Sequence, residues 1–123
     1  MIVRITVNVL RLCFLLALIL GILFWTGNAD NLVLVHMILG ILVVLSLWVL
    51  GAVIATTKRG VGLGVGAFVL GLVVLFVGLN QVNWLVGSTH WVIQVIHLLL
   101  GLLAIGFGEM IAGRHQRSRV RAA

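Results

Sequence analysis

The sequence predicts an all-α protein, a four-transmembrane-helix up-down-up-down bundle made of two related helical hairpins. Three observations lead there. The chain of 123 residues is 63% hydrophobic and 8% charged, whereas soluble domains are about half apolar and about a quarter charged. Four apolar runs each approach the ~20 residues that a helix needs to cross a hydrocarbon core. The lysines and arginines, eight in all, cluster before, between and after these runs so that alternate links carry none. Strands with open edges are excluded inside a bilayer, because their backbone groups would lack hydrogen-bond partners.

The first run covers about residues 5–25. It is interrupted near its start by Asn8 and Arg11, and Arg11 is expected to extend its guanidinium toward the headgroups. The break Thr26-Gly27-Asn28-Ala29-Asp30-Asn31 ends it. A basic start, an apolar middle and small residues at Gly27-Asn28-Ala29 also resemble a cleavable signal peptide; the expectation taken is a retained helix. The second run covers 32–55 and stops at Thr56-Thr57-Lys58-Arg59-Gly60. The third covers 61–79, and a polar link from Asn80 to Thr89 follows. The fourth covers 90–112, with Ser88 as the expected N-cap, and a tail carrying Arg114, Arg117, Arg119 and Arg121 follows it. The 123 residues are read as one transmembrane domain.

Charge sets the orientation. Arg4 and Arg11 lie at the start of run one, Lys58 and Arg59 between runs two and three, and four arginines after run four; the other two links hold no lysine or arginine. The positive-inside rule then places both termini and the middle link in the cytoplasm. The expected location is a bacterial or archaeal inner membrane. A net charge of +6 does not indicate nucleic acid, because the basic residues mark the ends of apolar runs instead of forming one face. The lone cysteine, Cys13, excludes an intramolecular disulfide and a cysteine metal cage. It reads as a small apolar side chain. Trp25, Trp84 and Trp91 fall at the outer boundary, where aromatic belts form, while Trp48 is deeper.

An internal repeat narrows the search for chemistry. Val35-His36-Met37-Ile38-Leu39-Gly40-Ile41-Leu42 aligns with Ile96-His97-Leu98-Leu99-Leu100-Gly101-Leu102-Leu103. Each copy belongs to the second helix of a hairpin and is entered from the outer side. His36 and His97 therefore fall in the outer half of the membrane, on helices expected to face each other diagonally across the core. Ionisable residues inside a membrane are costly and are functional candidates by default. Two imidazoles from opposite helices match the axial coordination of a haem iron, and a glycine four residues on, Gly40 or Gly101, leaves room on the same face for a flat macrocycle. The bland reading is a pair of neutral histidines hydrogen-bonded in the bundle, with the glycines serving close packing.

Zinc fits poorly. His90 and His97 are seven residues apart, about 10.5 Å along a helix axis, and no carboxylate joins them. His90 competes with His97 as a ligand, but no glycine follows it at the same spacing; it is expected near the headgroups, facing a haem propionate or simply the interface. Gln94 is placed to orient His97 or a propionate. Glu109 is expected as a solvated or arginine-paired carboxylate at the cytoplasmic end. Gly64, Ala67, Gly71 and Gly78 form a small-residue stripe on the third helix, read as a packing seam.

The chain resembles four-helix b-type membrane cytochromes, and is similar to one half of heme A synthase, a duplicated four-helix protein with a histidine on helices two and four of each half. Gln94-Val95-Ile96-His97-Leu98-Leu99-Leu100 is similar to that family's second ligand motif, and His36 matches the first. The family has a glutamate shortly before its first histidine and an arginine after it; here Leu32 to Val35 precede His36, and Met37 follows. The resemblance therefore implies haem b binding by His36 and His97 (iron as the metal), with Gly40, Gly101, His90 and Gln94 around it, and leaves haem-methyl oxidation without its carboxylate. The function expected is electron transfer through one bis-histidine haem, with a quinol or a redox protein as partner. The protein would act as a homo-oligomer or as a subunit of a larger complex, surrounded by membrane lipid. The alternatives are a cofactor-free membrane scaffold or small transporter, and a haem-modifying enzyme.

Overall fold

The computed structural model describes residues 1–122, with side chains described as far as residue 120. Four helices form: α1 (Ile2–Trp25), α2 (Val33–Ala55), α3 (Val61–Asn80) and α4 (His90–Ala122). Short 3-10 turns, Asp30–Leu32 before α2 and Gln81–Asn83 after α3, lie in the two longer links. There is no strand among the described residues. All four helices are long and apolar enough to cross a membrane, and the chain has no proline to kink them.

The largest departure from the expected boundaries is at α4, which runs on to Ala122 instead of ending near 112. Hydropathy marks where a helix leaves the hydrocarbon, not where its hydrogen bonding stops. Arginine, glutamine and alanine are good helix formers, and the Ser118 hydroxyl donates to the His115 carbonyl at 2.7 Å. At the other end α4 begins at His90, two residues beyond Ser88, with the His90 N–H donating to the Gly87 carbonyl at 3.1 Å. α1 likewise starts earlier than expected, at Ile2.

Consecutive helices run antiparallel. Both termini and the α2–α3 link therefore share one end of the bundle, and the lysines and arginines belong to that end. α2 packs against all three other helices, and α4 also touches all three, so the two of them separate α1 from α3. Leu10, Leu47, Leu50, Ile54 and Ile111 are fully buried at the centre, and Cys13 is buried with them. Large apolar side chains such as Leu12, Ile19, Leu34, Phe68 and Phe76 cover the outside, the arrangement that lipid solvates.

The α2–α3 seam is the tightest contact. A Cβ added to Gly64 would lie 2.7 Å from both the Gly51 carbonyl oxygen and the Ala55 Cβ, so backbone rests on backbone. One step along the same stripe, Trp48 lies over Gly71. Its indole N–H donates to the Phe68 carbonyl at 3.1 Å, and its ring stacks on Phe68 with centres 4.9 Å apart. Trp48 is thus spent on α3 packing.

Arg11 does not extend alone toward the headgroups. It donates from Nε and Nη2 to the two carboxylate oxygens of Glu109, at 2.5 and 2.7 Å, and from Nη1 to Asn8 Oδ1 at 3.2 Å. This two-point pair ties α1 to α4. Because both side chains are partly exposed, its loss is expected to be moderate. Arg11→Gln and Glu109→Gln should each lower the melting temperature in detergent, and the double variant should lose less than the sum. Additive losses would mean that the two side chains do not stabilise each other.

Candidate functional site

His36 and His97 meet. Their ring centres are 6.2 Å apart and their planes are inclined at 60°. α2 supplies His36 from its first turn and α4 supplies His97 from its second, so two helices entering from the same end bring the imidazoles to one level. The repeat in the sequence is thus a repeat in space: the diagonal helices touch through it.

The pair sits among apolar groups. Phe24 of α1 approaches His36 edge-on, with centres 5.4 Å apart. The Ala17 carbonyl of α1 lies near the same ring. Gly21 of α1 faces His36, a Cβ there lying 3.6 Å from the ring; Gly78 of α3 is closer to His97, at 3.1 Å. Each Nδ1 is buried and without a hydrogen-bond partner. No hydrogen bond joins the two rings, and a buried polar atom left without a partner costs about 1–3 kcal/mol.

Beside the rings is a cavity of about 50 Å³, between α2 and α3, lined by His36, Gly40, Val44, Val74, Gly78 and His97 among others. It opens between the helices at Met37, Ile41 and Leu79, all exposed. Of the two glycines expected beside the histidines, Gly40 faces open space, with nothing within 4 Å of an added Cβ; Gly101 instead faces Phe14, 3.4 Å away. The glycine that adjoins His97 is Gly78, which the sequence had offered as part of a packing stripe.

The other expected site residues lie apart from the pair. His90, half-buried, has its Nδ1 3.1 Å from the Trp84 carbonyl, which fixes the start of α4 to the α3–α4 link. Gln94 is half-buried and does not line the cavity. Phe24, Gly21, Ala17 and Gly78 were not singled out as neighbours of the histidines. Hydrophobic pattern alone could not find them, because which faces of α1 and α3 turn toward the pair is settled by packing. Among the described residues no three histidines, cysteines, aspartates or glutamates come together to hold a metal ion. A metal here would need ligands beyond the side chains, as the iron of a porphyrin has. No protein family, curated protein or solved structure matches the chain.

Proposed function

We propose that the chain is an integral membrane b-type cytochrome that carries one haem between His36 and His97 and serves electron transfer. The observation that carries this reading is the histidine pair itself, 6.2 Å between ring centres, with a bare nitrogen on each ring. Two imidazoles brought together from different helices are a donor set that can hold a haem iron. The cavity is smaller than a porphyrin, and its open rim at Met37, Ile41 and Leu79 is where the bundle would have to yield.

Haem bound here would supply a one-electron ferric–ferrous couple. The chain would do the rest. His36 and His97 would hold the haem iron, and Val44, Val74 and Phe24 would keep water away. Gly78 allows α3 to close on the His97 ring. Two histidines holding the iron would favour electron transfer over ligand binding, with a quinol or a redox protein as the partner and the chain working as an oligomer or a subunit. The charge distribution supports an inner-membrane location with both termini in the cytoplasm, and the pair then lies in the outer half.

A visible spectrum of the detergent-purified protein, oxidised and dithionite-reduced, tests the reading. A Soret band with a low-spin ferric spectrum and slow carbon monoxide uptake is the expected result. A high-spin spectrum or rapid uptake would leave one histidine off the iron. The absence of any Soret band after growth with added haem precursor would favour the second reading, a cofactor-free scaffold or small transporter. The small cavity and the edge-on contact of the rings favour that alternative. A haem-modifying enzyme has less support: Asp30 and Glu109 are the only carboxylates in the chain's side chains, and Glu109 is engaged by Arg11.

Orientation is tested separately. In a Cys13→Ala background, Asn83→Cys should react with an impermeant maleimide only from the outer side, and Arg59→Cys only from the cytoplasm. The reverse pattern would invert the proposed topology.

A further inference from the structure

At the opposite end from the histidines, α1 and α4 leave a wide polar groove between them, with a volume of about 930 Å³. Arg4, Arg11, Glu109, His115 and Arg119 line it, with Asn8 and Gln116. The antiparallel run of the two helices explains the meeting. Arg11 is level with Glu109, so seven residues back along α1 and seven onward along α4, each about 10.5 Å, bring Arg4 level with Gln116 and close to Arg119.

The charges in the groove do not cancel. Glu109 is taken up by Arg11, leaving Arg4 and Arg119 without a carboxylate among the described residues. Two guanidiniums in one groove repel each other unless an anion lies between them. His115 adds a buried Nδ1 that also lacks a partner. The groove's floor is apolar, formed by Val3, Val7 and Ala112 where they close the core, and the groove lies where α4 passes from its apolar stretch into its basic one. We propose that this groove binds an anionic phospholipid, its phosphate held by Arg4 and Arg119 and its acyl chains passing along the apolar stretch of the bundle. Basic pockets between transmembrane helices are suited to such headgroups, and a guanidinium fork matches phosphate oxygens. The groove's place at the end of the apolar stretch of α4 is what favours a lipid over free phosphate.

Detergent-purified protein titrated with phosphatidylglycerol, phosphatidylcholine or inorganic phosphate tests this by thermal melting, with native mass spectrometry counting retained lipid. Phosphatidylglycerol should raise the melting temperature by roughly 5 °C near saturation and leave one lipid per chain. Arg4→Gln with Arg119→Gln should lose most of both effects. Arg114→Gln with Arg117→Gln, which removes the same charge outside the groove, should retain them. Equal loss from the two double variants would reduce the effect to net charge and overturn the site. An equal response to phosphatidylcholine would also overturn it, and an equal response to inorganic phosphate would make it an anion site without lipid.

Discussion

His36→Ala and His97→Ala should each leave the purified protein without stoichiometric haem, while His90→Ala should keep it. The two rings that meet at 6.2 Å are those of His36 and His97; His90 is turned to the Trp84 carbonyl and does not line the cavity. Removing a group that merely orients a metal ligand costs about 10–100-fold in affinity, so removing a histidine proposed to hold the iron should cost at least that. Alanine also empties space between α2 and α4, and a variant that fails to fold would mimic the result. His97→Gln and His36→Gln preserve most of the volume, and their melting temperatures separate the two causes. Haem retained by both His36→Ala and His97→Ala would remove the site from this pair. Haem lost equally in His90→Ala, with His97→Ala tolerated, would move the α4 ligand to His90.

Gly64→Leu should break the bundle, whereas Gly62→Leu on the same helix should be tolerated. Overpacking a well-packed interior costs typically about 1–3 kcal/mol, because side chains must leave their rotamers. At Gly64 the obstacle includes backbone: the Gly51 carbonyl oxygen lies 2.7 Å from where a Cβ would stand. A flexible side chain cannot absorb this, and α2 and α3 must separate along the seam that Gly51, Ala55 and Ala67 share. The cost should therefore reach the upper end of that range or pass it. Nothing lies within 4 Å of a Cβ at Gly62, so leucine there only adds apolar surface toward lipid. Thermal melting in detergent, or loss of secondary structure against sodium dodecyl sulfate, would show the difference. Equal stabilities would mean that the α2–α3 seam is looser than the structure has it.

Much of the architecture is legible in the chain because a bilayer imposes one rule throughout. Every backbone polar group must be bonded within its own helix, so an apolar run of sufficient length becomes a helix. The four runs, their links and the seam along Gly64, Ala67 and Gly71 follow from composition and spacing. So does the nomination of His36 and His97, since an imidazole within an apolar run stands out against its surroundings and a repeated His-x-x-x-Gly doubles the signal.

Tertiary packing decided what that rule leaves free: the rotation of each helix about its axis and its height against its neighbours. Lipid solvates any apolar face, so the pattern along α1 does not say that Phe24, Gly21 and Ala17 turn toward His36. Nor does α3's stripe say that Gly78 leaves the seam with α2 and meets His97. Gly101 shows the same limit in reverse, since its sequence position matches that of Gly40, yet Phe14 fills the space beside it. Arg11 and Glu109 are 98 residues apart, and only the vertical offset of α1 against α4 makes them a pair. The sequence by itself determined which segments cross the membrane and which residues cost most to bury there. The tertiary structure alone decided which of those residues face one another, because side-chain volume and backbone approach, not hydropathy, distinguish one apolar face from the next.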